Sequence, residues 1–196
     1  MLGPISKIGT WNESISDGNE LLKVFQVNVV SAMQLCHFCL PFLRKSKTGG
    51  RILFVSSGAA NRGIDGWSPY CTSKAALLHF ATCLDTEEMI RTNDMPKESS
   101  DRVGVLSVRP GVVDTDMQTY IREQGSPEGM KEHKKFVDLK ENNQLESPEK
   151  IGEILSCLTD SFPYGWSGTF KSYNDADVTE FVQSILQQGN TQSKEK

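Results

Sequence analysis

The sequence has no apolar run long enough to cross a bilayer, since stretches such as Ile52–Val55 fall far short of the roughly 20 residues required. Its first residues also lack the basic-then-apolar pattern of a secretory signal, so a cytoplasmic protein with no membrane partner is expected. A basic surplus is missing as well: the net charge is −4, which offers no surface for phosphate contacts and argues against nucleic acid as a partner. Cysteines are few and odd in number, 36, 39, 71, 83 and 157, so free thiols are expected rather than disulfides. Paired metal ligands are absent. Cys36-His37-Phe38-Cys39 has zinc-knuckle spacing but no second pair, and its flanks read as a continuous amphipathic helix. His37, His79 and His133 stand in neither metal nor serine-elbow spacing. The sequon Asn12-Glu13-Ser14 reads as chance without a secretory route.

What is present is an alternation of helix and strand. Residues 19–43 place Leu21, Phe25, Val29, Ala32, Cys36 and Leu40 on one broad face, predicting a long, largely buried helix. Arg51–Ser57 is a short apolar run after Gly49-Gly50, the pattern of a parallel strand buried on both sides. Helical spacing returns from Tyr70 to Ile90, followed by a polar turn over Asn93–Asp101. A second apolar run, Arg102–Val108, ends at Pro110-Gly111. Residues 116–146 are polar and glycine-containing, predicting an exposed, mobile helical excursion suited to a lid. Ser147-Pro148 reads as a helix start, Gly168–Tyr173 as a last strand and Asp177–Gln187 as a terminal helix. The whole is an α/β chain, read as one domain over residues 1–188 with a polar tail at 189–196.

Of the four tyrosines only Tyr70 has a lysine, Lys74, four positions on, which puts both side chains on one helix face. The spacing alone also suits a surface pair. Its context is more specific: Ser57 closes one apolar strand and Pro110-Gly111 closes the next. In a doubly wound sheet, ligands bind at the carboxyl ends of strands.

The segments VSSGAANRGIDGWSPYCTSKAAL (residues 55–77) and VRPGVVDT (residues 108–115) resemble the active-site strand, catalytic helix and post-strand loop of the short-chain dehydrogenases/reductases. Asn28, in NVVSA, is similar to the family's helix asparagine, and LGPISKI near the start resembles the stretch after its Asn-Ala-Gly turn. The fold implied is the C-terminal part of a doubly wound, Rossmann-like parallel sheet. The function implied is reduction of a ketone or dicarbonyl by hydride transfer from NADP, or from NAD. Tyr70 would be the acid, Ser57 would orient the carbonyl, Lys74 would tune Tyr70 and hold the nicotinamide ribose, and Asn28 would support a proton relay. Pro110, Gly111, Val113 and Thr115 would line the nicotinamide site, Val113 and Thr115 holding the carboxamide. The residue types suit this chemistry. A free phenol, with pKa about 10, is a weak acid at neutrality, and a lysine cation near 4 Å would favour the phenolate by about 4 kcal/mol at an effective dielectric of 20.

Within the family, GWSPYCTSKAAL and the later SGTFKSYND look most like the sepiapterin reductase and fungal benzil reductase branch, which favours an aromatic or dicarbonyl substrate and NADP. Trp67, three residues before Tyr70, suits either the wall of a substrate pocket or a loop staple. The chain departs from the family in one respect. It has no Thr-Gly-x-x-x-Gly-x-Gly turn between an early strand and helix, the element whose backbone N–H groups receive dinucleotide phosphates. By resemblance roughly 80 to 90 residues and four of seven strands have no counterpart, so dinucleotide binding is expected to be weak and the first strand to present an unpaired edge. The resemblance also implies a homo-oligomer packed through the two long helices, and a catalytically inactive interaction or oligomerisation module is the alternative.

Overall fold

The structure, a computed structural model, describes residues 8–9, 18–92 and 102–192. The sequon, the turn at 93–101 and all of the opening segment but Ile8 lie outside the described residues.

Helix α1 (Gly18–Phe25) runs through a π-turn, Gln26–Val30, into α2 (Ser31–Leu43). Strand β1 (Arg51–Val55) follows a glycine turn in which Gly49 has φ 82° and Gly50 leaves no room for a side chain, a Cβ there meeting Leu43 O at 2.6 Å. Helix α3 (Ser68–Arg91) opens with Pro69 in its first turn, where a missing N–H costs nothing. Strand β2 (Gly104–Arg109) stops at Pro110, which lacks the donor needed to continue the ladder. Then come α4 (Asp116–Gln124), α5 (His133–Glu141), α6 (Pro148–Ser161), β3 (Phe170–Ser172) and α7 (Ala176–Gln192). The start of α6 is built as expected: Ser147 Oγ accepts from Lys150 N at 3.1 Å, with Pro148 first in the helix.

The three strands form one parallel sheet in the order β1-β2-β3. On one face Val105 and Phe54 pack with Leu77, Ala81 and Leu84 of α3 and Cys36 of α2. On the other, Leu106 and Val108 pack with Leu158 and Phe162 at α6 and Val178 and Val182 of α7. Val105, Leu106 and Val108 are wholly buried, so β2 is the core strand.

Beneath the sheet lies a charged cluster. Glu88, fully buried, accepts from Arg44, from Arg91 and from Val103 N, and its carboxyl is held below the usual range by these donors against the opposing effect of burial. Asp85 accepts from Ser167 and faces the buried Arg102 guanidinium at 3.4 Å.

Three expectations are corrected. The long first helix is not largely buried: Leu22, Leu35, Phe38 and Phe42 are between 64% and 76% exposed, and only Val24, Asn28, Val29 and Cys36 are covered. Taken together, Gly18–Leu43 is a helix long and apolar enough to cross a membrane by length and composition, a feature the short apolar runs concealed. Strand β1 is half-buried rather than covered on both faces, because among the described residues it pairs with β2 alone. The polar residues from 189 to 192 continue α7 rather than forming a separate tail, the helix running on through Gly189.

The turn into β3 yields a stability prediction. Gly168 has φ 75°, and a Cβ there would lie 2.9 Å from Asp85 Cγ. Gly168→Ala is expected to cost about 2 to 4 kcal/mol in urea unfolding, whereas Gly152→Ala, on open helix surface, should be neutral or stabilising. A Gly168→Ala midpoint equal to that of the parent chain would contradict this packing.

Candidate active site

Ser57 sits two residues beyond the end of β1. Ser56 N still donates to Val108 O at 2.8 Å, and Ser57, in extended conformation, caps the short 3-10 turn Gly58–Ala60, its Oγ accepting from Ala59 N at 3.2 Å. Tyr70 lies in the first turn of α3, buried. Burial pushes its phenol above the ordinary value, and a hydrogen bond to Ser57 opposes that in part.

Lys74, one turn further on, is 2% exposed and donates to Val55 O at 3.1 Å. Its Nζ stands 5.7 Å from the centre of the Tyr70 ring. Burial lowers its pKa to about 8. In the chain by itself, therefore, the expected depression of the Tyr70 pKa does not occur. Loss of solvent outweighs the other influences on the phenol, and the lysine is itself desolvated with its ammonium turned to a backbone carbonyl.

Asn28 is held in the π-turn, where one extra residue in the helical ladder rotates the side chain; such bulges recur at functional sites. Its Nδ2 donates to Ser73 Oγ at 3.0 Å, and Ser73 Oγ donates to Tyr70 O at 2.8 Å. Asn28 is thus tied to the turn of α3 that carries Tyr70 and Lys74.

After β2 the chain turns at Gly111, φ 79°, where a Cβ would lie 2.6 Å from the Tyr173 ring. The next residues are pinned to the segment before α6: Asp114 N donates to Glu146 O and Glu146 N to Val112 O, both at 2.9 Å. Thr115 precedes α4 and donates from Oγ1 to Val113 O at 3.3 Å.

These pieces surround two cavities. The first, of about 440 Å³, is lined by Ser57, Tyr70, Pro110, Gly111, Val113 and Thr115. The second, of about 540 Å³, runs along the outer edge of β1 and is lined by Asn28 and Lys74 among apolar residues. The sequence-predicted set is therefore divided, with Tyr70 and Lys74 on one helix but facing neighbouring spaces.

Residues 116–146 form the far wall of the first cavity rather than a loose excursion. Ile121, Met130 and Phe136 are buried against Ile64, Trp67, Tyr70 and Cys71. Glu132 receives a bidentate ion pair from Arg62 at 2.6 and 2.9 Å and is held at a pKa of about 2 by that donor. Trp67 does both things its position suggested: it lines the cavity and staples the segment, stacking on Phe136 with centroids 5.3 Å apart. Phe136, Gln118, Glu146 and Tyr173 also line this cavity. No spacing in the sequence marks them, because they reach it from separate elements.

The short chain dehydrogenase family model matches residues 8–126. The chain belongs to the short-chain dehydrogenase/reductase family. It is 38% identical over 178 residues to the benzil reductase ((S)-benzoin forming) of Saccharomyces cerevisiae, covering 89% of this chain and 64% of that protein. A short chain dehydrogenase/reductase structure from the same yeast is similar at 37% identity with a TM-score of 0.76, covering 91% of this chain and 66% of the other. A structure described as a cytoplasmic protein of unknown function from S. cerevisiae matches at 36% identity and TM-score 0.61, covering 92% and 65%. The chain thus spans less than two thirds of the length of these relatives.

The buried ammonium carries a prediction. Folded Lys74 releases its proton near pH 8 and the unfolded chain only near 10.5, so the unfolded state holds more protons between those values and stability rises with pH across that window. Lys74→Met is expected to be about 1 to 3 kcal/mol more stable than the parent at pH 7, the advantage fading by about pH 10. Urea unfolding across pH measures it; a pH-independent difference, or a less stable variant, would contradict the burial of a charged Lys74.

Proposed function

We propose that this chain carries the reducing centre of a nicotinamide-dependent carbonyl reductase acting on a ketone or dicarbonyl. The observation that carries the reading is the shared cavity: the Ser57 and Tyr70 side chains and the Pro110–Thr115 turn line one space at the carboxyl ends of β1 and β2. Ser56 and the turn residues Pro110 and Gly111 border the same space, which suits the nicotinamide end of a cofactor. Tyr70, Lys74, Pro110, Gly111, Val113 and Thr115 would hold that end of the cofactor. NADP is preferred over NAD by resemblance to the benzil reductase branch.

When bound, reduced nicotinamide supplies the hydride. The side chains do the rest. Ser57 donates a hydrogen bond to the carbonyl oxygen and fixes it beside Tyr70. Burial leaves Tyr70 protonated at neutral pH but a weaker acid than a free phenol; it gives its proton to the oxygen as negative charge gathers there, and the Lys74 cation beside its ring favours the phenolate that results. Lys74, whose pKa of about 8 lies near working pH, returns a proton to the phenolate from the side of the second cavity. Asn28, through Ser73, positions the helix turn that carries both. The likeness to a yeast benzil reductase supports an aromatic or dicarbonyl substrate. A cytoplasmic location draws on the yeast relative so described.

A specific observation favours a second reading, an interaction or oligomerisation module: the apolar residues Leu22, Leu35, Phe38 and Phe42 stand exposed along α1 and α2, the face through which a homo-oligomer would form. The two readings separate on one assay. At NADPH concentrations high enough to offset weak dinucleotide binding, oxidation with a vicinal diketone is expected for the purified chain, and Tyr70→Phe is expected to reduce it about a hundredfold or more while circular dichroism stays unchanged. A folded Tyr70→Phe protein of undiminished activity would remove Tyr70 from the chemistry, and no turnover by the folded parent chain would favour the interaction module.

A further inference from the structure

The turn that follows β2 is gripped from two sides, by Glu146 and by Tyr173, and both line the first cavity together with Gly111 and Val113. Tyr173 comes from the end of β3. Its N–H donates to Arg109 O at 3.0 Å, and its ring is seated against Gly111, where a Cβ would lie 2.6 Å away. Glu146 comes from the segment before α6. Its backbone bridges to Val113, donating to Val112 O and accepting from Asp114 N. The two grips are joined, because Tyr173 Oη donates to Glu146 Oε1. A closed circuit of bonds thus runs from the sheet through the phenol and the carboxylate to the backbone of the turn.

The turn needs such an anchor. Beyond Arg109 it has left the sheet, and Gly111, at φ 79°, is free to take other conformations. The joining bond persists at neutral pH. Burial and the facing carboxylate push the Tyr173 phenol up to about 12, so it remains a donor, while Lys150 and then Tyr173 hold Glu146 below the usual carboxylate range, so it remains an acceptor. A hydrogen bond to an ionised acceptor is about twice as strong as a neutral one. The ion pairs around it weigh less. Lys150–Glu146 and Lys140–Asp114 each close at 2.7 Å, but both lysines are at least half exposed, and pairs of that kind contribute little.

We propose that the Tyr173–Glu146 bond sets the conformation of the Pro110–Thr115 turn and so shapes the part of the first cavity that receives the nicotinamide. Glu146 and Tyr173 are positioning residues, acting through the backbone of the turn and not on the reacting atoms. The inference rests on the proposed reductase reading for what the turn receives.

Two measurements that need no turnover test it. Backbone nitrogen-15 relaxation in the cofactor-free chain reads the order of residues 111–115 on the fast and the microsecond-to-millisecond scales. Tyr173→Phe keeps the ring on Gly111 and removes only the hydroxyl. It should lower the order parameters of the turn from about 0.85 toward about 0.6, or broaden its signals by exchange, while β2 stays rigid. A pair that served stability alone would lower the melting temperature and leave the order of the folded turn unchanged. Reduced nicotinamide mononucleotide, which has no adenosine or pyrophosphate and so makes no call on a glycine-rich turn, is then titrated by its fluorescence. Tyr173→Phe and Glu146→Leu should each weaken it about tenfold, and the double variant no further than either alone, because both remove one bond. Glu146→Gln, which keeps an oxygen to accept from Tyr173, should recover most of the loss seen in Glu146→Leu, and Lys150→Ala should bind as the parent does. A turn as ordered in Tyr173→Phe as in the parent, equal binding by all variants, or Glu146→Gln as weak as Glu146→Leu would overturn the proposal and leave the reductase reading standing. A parent chain that binds no mononucleotide would overturn both.

Discussion

The parallel pairing of β1 with β2 is the constraint on which the rest of the structure depends. It runs from Arg51 opposite Gly104 to Val55 opposite Val108, and one further bond, Ser56 N to Val108 O, carries it past the end of β1. That register sets Ser57 beside the Pro110-Gly111 turn. Helix α3 then crosses the same two strands through Leu77, Ala81 and Leu84, which lowers its first turn, with Tyr70, onto the shared carboxyl edge. A slip of one residue in so short a ladder would turn every side chain of β2 to the other face and separate Ser57 from the turn. The wholly buried Val105, Leu106 and Val108 hold the register against that.

Around this frame the protein retains several groups that a purely stable core would not. Lys74 is buried with its ammonium against a backbone carbonyl, Ser56 keeps an unpartnered hydroxyl, and Trp67 and Gln118 keep unpartnered polar atoms around the first cavity. Each opposes folding. At the opposite edge Glu88 has its acceptor capacity filled by Arg44, Arg91 and Val103 N, while the buried Arg102 guanidinium faces Asp85 without a hydrogen bond.

The sequence was legible where chemistry and backbone period coincide. Arg51–Val55 and Gly104–Arg109 are apolar runs closed by turn residues, Ser147-Pro148 is a capped helix start, and Ser57, Tyr70 and Lys74 stand at spacings that strand ends and one helix face make meaningful. What escaped was set by packing between distant segments. Phe136 and Gln118 face the cavity only because α4 and α5 fold back over the Ile64–Tyr70 segment, and a polar composition made that region look exposed. The π-turn at Gln26–Val30 is invisible in an apolar pattern that suits a regular helix equally well. The exposure of Leu35 and Phe42 depends on what covers α2, which periodicity does not encode. The direction of the Tyr70 shift is set by loss of solvent, which the spacing of Tyr70 and Lys74 does not encode.

The central claim is that Tyr70 is a buried, protonated phenol bonded to Ser57. Carbon-13 labelling of the tyrosine ring carbons allows the four phenols to be titrated by NMR, with Tyr70 assigned by its absence in Tyr70→Phe. The account predicts a Tyr70 midpoint above the ordinary value of 10, rising further in Ser57→Ala as the bond that opposes burial is lost. A Tyr70 midpoint at or below that value, or one indifferent to Ser57→Ala, would contradict it.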